Sequence, residues 1–112
     1  MTDRLVVLVT CGSGKEARRI ARALVEAQLA ACGNVVEAPV RSIYRWKGKV
    51  ETAREYLLMV KTSRRRFAAL EKAVKRVHSY DLPEIIALPI AAGSQAYLRW
   101  IDQCVDGRTG RK

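Results

Sequence analysis

Nine residues, Val77–Ile85 (VHSYDLPEI), gather the chain's single histidine, a tyrosine, two carboxylates and a proline. An imidazole suits Cu(II) as a ligand and titrates near neutral pH. His78 completes neither a metal site nor a catalytic dyad by itself, because each needs partners from elsewhere in the fold or from another subunit. The competing structural reading has His78 closing a helix, its ring beside the C-terminal carbonyls where positive charge is favoured. Cys11, Cys32 and Cys104 are odd in number, widely spaced and without a CxxC pair. That pattern argues against a disulfide framework and a structural zinc site, and it fits reduced thiols. No GxSxG or HExxH occurs, and Cys11–Lys15 (CGSGK) lacks the Walker spacing, although amides at such a helix start can hold an anion.

These residues need elements to position them. Arg4–Thr10 (RLVVLVT) is a β-branched run ending at a glycine-containing turn, and it reads as the first strand. From Ser13 to Ala30, the residues Ala17, Ile20, Ala21 and Leu24 recur at helical spacing. Ser13 and Glu16 make a capping box at the start, and the helix is expected to end near Ala31. Val35–Trp46 and Lys49–Thr62 read as two long strands folded back on the Lys47–Gly48 turn, with Pro39 at an edge or bulge. Ser63 then caps a second helix whose apolar stripe is Phe67, Leu70, Val74 and Val77. Pro83 bars its continuation, Glu84–Ala91 (EIIALPIA) is a fourth strand, and a short helix follows with Tyr97, Leu98 and Ile101 on one side. The order β-α-β-β-α-β-α predicts an α+β chain of ferredoxin-like, split βαβ type, with a long β-hairpin and a short C-terminal helix.

Length and composition bound the function. A chain of 112 residues with 49% hydrophobic content is expected to be one domain spanning 1–112, its last stretch (106–112) a basic flexible tail. No signal peptide is read, and the longest apolar stretch, Ile85–Ala92, is too short to cross a bilayer, which leads to an expectation of a soluble, cytoplasmic protein without a membrane partner. The net charge is +10, and seven basic residues against one acid lie between Lys61 and Arg76. Such a block meets phosphates non-specifically at low salt. The base-stacking aromatics of RNA-recognition modules are missing, since the first strand has no aromatic and the third has Tyr56.

In a split βαβ arrangement both crossover helices cover one face of the sheet, and the other face should alternate with polar residues. Three of the four strands do not alternate. Val6 and Leu8, Leu57 and Met59, and Ile85 and Ala87 are apolar beside apolar neighbours on the opposite side. A second copy of the chain is the expected cover for that surplus face.

With those stretches identified, the chain resembles the CutA family of divalent-ion tolerance proteins from about Val6 to Asp102. The resemblance is carried by VLVTC (Val7–Cys11), ALVEAQLAACGNV (Ala23–Val35), SIYRWKGKV (Ser42–Val50), LLMVKT (Leu57–Thr62), HSYDLPEIIALPI (His78–Ile90) and YLRWI (Tyr97–Ile101). It implies a ferredoxin-like protomer, a homotrimer, a cytoplasmic and non-enzymatic protein, and a link to copper tolerance. No cofactor is required, and Cu2+ or another divalent cation is the implied ligand, with His78 and Cys11 as its metal residues. An intersubunit cleft lined by Tyr44, Trp46, Lys61, Tyr80 and Glu84 is implied as a ligand site. The same family is similar to trimeric PII signalling proteins, so a small-molecule-sensing trimer is the alternative, ahead of a nucleic-acid-binding module. This chain departs from the family pattern in three places. Ser79 stands where members commonly have proline, Gly12–Lys15 replaces a Pro-Asp pair, and the charge is strongly basic.

Overall fold

The computed structural model describes residues 3–106, and the basic tail expected at 106–112 lies outside them apart from Asp106. Five strands and three helices follow in the order β1 (Arg4–Cys11), α1 (Gly14–Glu26), β2 (Cys32–Val35), β3 (Val40–Trp46), β4 (Lys49–Ser63), α2 (Phe67–Val77), β5 (Ile85–Pro89) and α3 (Gln95–Val105). The sheet runs β2-β4-β1-β5, all neighbours are antiparallel, and β3 pairs with the outer half of β4. The result is a mixed α+β fold built on an antiparallel sheet.

Period-2 alternation places Leu5, Val7, Val9 and Cys11 of β1 beside Leu58 and Val60 of β4 on one face. Against them pack Ala17, Ile20, Ala21 and Leu24 of α1 and Leu70 and Val74 of α2, in one buried cluster. Helix α1 and β2 approach closely at Gly33, where a Cβ would stand 2.9 Å from that of Ala21. Helix α3 lies against β4 and β1, burying Ile101 and Val105. A paired Arg4–Asp102 contact (Nε to Oδ1 3.1 Å, Nη2 to Oδ2 2.6 Å) fixes it there. On the sheet face turned away from the main core, Val6, Leu8, Leu57 and Met59 are half-buried and Ile86 and Leu88 are 48% and 50% exposed.

Four expectations need correction. Helix α1 ends at Glu26 rather than near Ala31, because Gln28 takes a left-handed φ of 60°. The amides of Gln28 and Leu29 then close back onto the carbonyls of Val25 and Leu24, a Schellman closure made without glycine. The expected Val35–Trp46 arm is two strands: Val36–Pro39 bulges out of register between Leu58 and Glu55, so β2 starts at Cys32 and β3 at Val40. Ser63 makes no capping bond, because a 3-10 turn (Arg64–Arg66) precedes α2 and the Arg64 amide bonds to the Asp3 carbonyl. Finally, the apolar stripe of α2 is narrower than its spacing promised, with Val77 42% exposed, and Tyr97 of α3 is 43% exposed.

Candidate functional site

Strand β1 ends at Cys11, and the turn that follows delivers Ser13 as the N-cap of α1, its Oγ accepting from the Glu16 amide at 3.0 Å. The Glu16 side chain turns back to the same end of the strand. The Gly12 amide donates to Oε1 (3.2 Å), the Ser79 amide donates to Oε2 (2.8 Å), and the Ser79 hydroxyl donates to Oε1 (3.2 Å). Burial by itself would raise the Glu16 pKa, but these donors from Ser79 and Gly12 outweigh it and hold the carboxyl below its ordinary value.

His78 follows the last residue of α2, as expected, and its amide bonds to the Val74 carbonyl at 2.9 Å. Its ring does not sit on the helix carbonyls. It crosses to β1, where Nε2 lies 2.8 Å from the Thr10 carbonyl, while the Tyr80 amide donates to Nδ1 at 3.1 Å. Those two partners define the tautomer: Nδ1 is the acceptor, so Nε2 carries the proton and the imidazole is neutral. The contact of Nδ1 with Glu16 Oε2, 3.8 Å, is then a close approach rather than an ion pair.

Cys11, Glu16 and His78 thereby bring a thiol, a carboxylate and an imidazole within 4.8 Å of one another, all buried. Two of the three, Cys11 and His78, are the residues expected from the sequence. Glu16 was read as half of a capping box, and its spacing gives no sign that it joins them. By type the three donors fit a borderline divalent ion such as Cu(II). Each is already engaged, however. Burial, with Glu16 and Glu55 nearby, pushes the Cys11 thiol up to about 12, so it is protonated at neutral pH. A bound metal would displace that proton and replace one hydrogen bond of His78.

Beside this cluster, on the other side of the sheet, opens a cavity of about 670 Å³ between β3 and the loop that leads into β5. Tyr44, Trp46, Tyr80 and Glu84 line it together, as the sequence reading grouped them. Glu55 of β4, 9% exposed, belongs to the wall as well and accepts from the Tyr80 hydroxyl at 2.8 Å. Burial and this bond raise the Tyr80 pKa above the ordinary phenol value. Lys61 is not in the group. Its register partner on β1 is Val6, four residues or roughly 13 Å along the strand from Thr10, and its Nζ donates to Asn34. Within one chain, therefore, Lys61 does not join Glu84 and the others at the cavity.

A family model described as CutA1 divalent ion tolerance protein matches residues 5–104. The chain is 52% identical over 96 residues to the divalent-cation tolerance protein CutA of Thermus thermophilus, covering 86% of this chain and 92% of that protein. It is 46% identical over 98 residues to the human protein CutA, which covers 88% of this chain, yet it spans only 54% of the length of that relative. Among solved structures, the periplasmic divalent cation tolerance protein CutA from Archaeoglobus fulgidus superposes with a TM-score of 0.87 at 42% identity, covering 91% of this chain and 98% of that one. The Thermus thermophilus structure gives a TM-score of 0.85 at 51% identity, with 88% and 94% covered. The chain belongs to the CutA1 family of divalent ion tolerance proteins.

Proposed function

We propose that this protein is a non-enzymatic, cytoplasmic divalent-cation tolerance protein of ferredoxin-like fold that works as a homotrimer and binds Cu(II) through Cys11 and His78, with Glu16 as third donor. The observation that carries this reading is the convergence of those three donors in a member of this family. The sheet order β2-β4-β1-β5, with both crossover helices on one face, supports the ferredoxin-like description. The half-exposed apolar face around Ile86 and Leu88 supports assembly. No helix among the described residues is long and apolar enough to cross a membrane. With polyanions such as nucleic acid, a net charge of +10 supports only non-specific, salt-sensitive contact. The PII-like and RNA-reading alternatives draw no support from the relatives.

The test is a calorimetric Cu(II) titration of the unmodified chain beside Cys11→Ser and His78→Ala, in two buffers of different ionisation enthalpy. The expected result is saturable binding that both variants lose, with a buffer-dependent heat that reports release of the Cys11 proton. Cys11→Ser nearly keeps the volume of the site, and circular dichroism of each variant separates a loss of binding from a loss of folding. Binding that is absent in the unmodified chain, or unchanged in Cys11→Ser, overturns the copper assignment.

A further inference from the structure

The basic block between Lys61 and Arg76 does not fold into one surface. Lys61 donates to Asn34, Arg65 lies 3.9 Å from Asp106, and the Arg66 guanidinium donates to the Val105 carbonyl at 2.7 Å, so these three are spent on β2 and the end of α3. Lys72 and Arg76 are exposed in the second half of α2 and make no hydrogen bond or ion pair among the described residues. The bonds from Ser79 to Glu16 bring that end of α2 to the start of α1. There Lys15, which lies outside the block in sequence, is likewise exposed and without a partner among the described residues. Arg18, Arg19 and Lys75 are on the same two stretches of helix, and each meets one acid: Glu37 at 3.2 Å, Glu16 at 3.9 Å and Glu71 at 3.0 Å. Asp81, further along the chain, lines the cavity on the other side of the sheet. Folding thus collects three positive charges that no carboxylate answers.

These cations lie on the helix layer, across the sheet from the apolar face of Val6, Leu8, Ile86 and Leu88. The assembly proposed above closes over that apolar face and leaves the outer side of α1 and α2 in solvent. The exposed positions of the two helices carry no aromatic ring, so they offer no platform on which unpaired bases could stack. A double helix needs no such platform. It carries one negative charge per about 1.7 Å of its axis, and each phosphate that a lysine or arginine neutralises releases condensed counterions. We propose that Lys15, Lys72 and Arg76, with Arg18, Arg19 and Lys75 beside them, form the surface through which this protein holds the phosphate backbone of a nucleic-acid duplex without reading its sequence. The proposal rests on the non-specific polyanion contact given above and assigns that contact a place, at one end of the helix layer.

The probe is a short labelled DNA duplex of mixed sequence, its anisotropy followed in EDTA across a salt series. Two triple variants are compared with the unmodified chain: Lys15→Gln/Lys72→Gln/Arg76→Gln on the helices, and Arg41→Gln/Lys47→Gln/Lys49→Gln on the β3–β4 hairpin. All six positions are exposed, both variants lose the same three charges, and both keep Arg108, Arg111 and Lys112 of the tail. Glutamine is a good helix former, and circular dichroism checks that each variant folds. The helix variant is expected to lose roughly tenfold in affinity and to flatten the slope of log affinity against log salt by about one per residue. The hairpin variant is expected to keep the slope of the unmodified chain, and a duplex of different sequence to bind equally well. Equal losses in the two variants overturn the placement and leave a contact spread over the whole surface. No binding by the unmodified chain overturns that contact as well. A single strand or poly-glutamate that competes as well as the duplex at equal charge overturns the duplex assignment. EDTA removes metal from the measurement, so none of these outcomes bears on the copper reading.

Discussion

At the scale of single residues, Glu16 joins the most segments. Its carboxylate accepts from the turn after β1 and from both donors of Ser79, tying the start of α1 to the loop behind α2. Proline, common at position 79 in chains this one resembles, has neither an amide N–H nor a hydroxyl to give, so the departure at Ser79 supplies two of the three bonds. Three donors on one buried charge favour the ionised form, and their contribution has a pH signature. In the unfolded chain the carboxyl titrates near its ordinary value of about 4.3, and in the fold it titrates lower. The stabilisation is therefore complete above about pH 5 and is lost as pH falls through the folded value. Glu16→Gln is expected to lose about 2–3 kcal/mol at pH 7, with the gap to the unmodified chain narrowing towards pH 3. Urea unfolding at the two pH values measures it. A gap that stays constant across that range would show that the charge of Glu16 contributes nothing.

At the scale of elements, what the sequence discloses depends on whether the signal is local. Hydrophobic period located the three helices and every strand but the short β2 (Cys32–Val35), and Lys47–Gly48 located the hairpin turn, where both residues take positive φ (50° and 81°) as a two-residue turn requires. The end of α1 was hidden because its left-handed closing residue is Gln28, a type that carries no terminating signal. The bulge at Val36–Pro39 was half-visible: Pro39 announced an irregularity, but only pairing with β4 shows that the arm divides. The candidate sites follow the same rule. Cys11 and His78 could be named from resemblance, whereas Glu16 joins them only through a turn of the chain, and within one chain the β1–β4 register carries Lys61 towards Val6, apart from Tyr80 and Glu84. The strain at Gln28 makes a prediction at this scale. A left-handed non-glycine residue costs roughly 1 kcal/mol, and the Schellman bonds need only the backbone. Gln28→Gly is expected to stabilise the protein by up to about 1 kcal/mol and raise its melting temperature, read by thermal unfolding. A lower melting temperature would mean that the Gln28 side chain contributes more than its conformation costs.

At the scale of the whole molecule, the two faces of the sheet set up an internal control. Leu58 and Met59 are neighbours on β4, but Leu58 is fully buried under the helices and Met59 faces the other way with Leu8 and Ile86. A charge at Leu58 must be desolvated inside the protomer core, which few small domains survive. A charge at Ile86, 48% exposed in the protomer, leaves that core intact and acts on whatever covers the second face. If three copies close around that face, the unmodified chain has three times the 12.5 kDa protomer mass in solution, and its melting temperature rises with protein concentration. Ile86→Asp is then expected to give a smaller, folded species whose melting temperature no longer depends on concentration, while Leu58→Asp gives no folded species at all. Light scattering and circular dichroism on the pair separate the outcomes. An unmodified chain that scatters as a 12.5 kDa monomer would overturn the assembly, because Ile86 and Leu88 would then be stable in water without a cover. The physical case for the trimer therefore stands or falls on the second face of the sheet, independently of whether Cys11 and His78 hold copper.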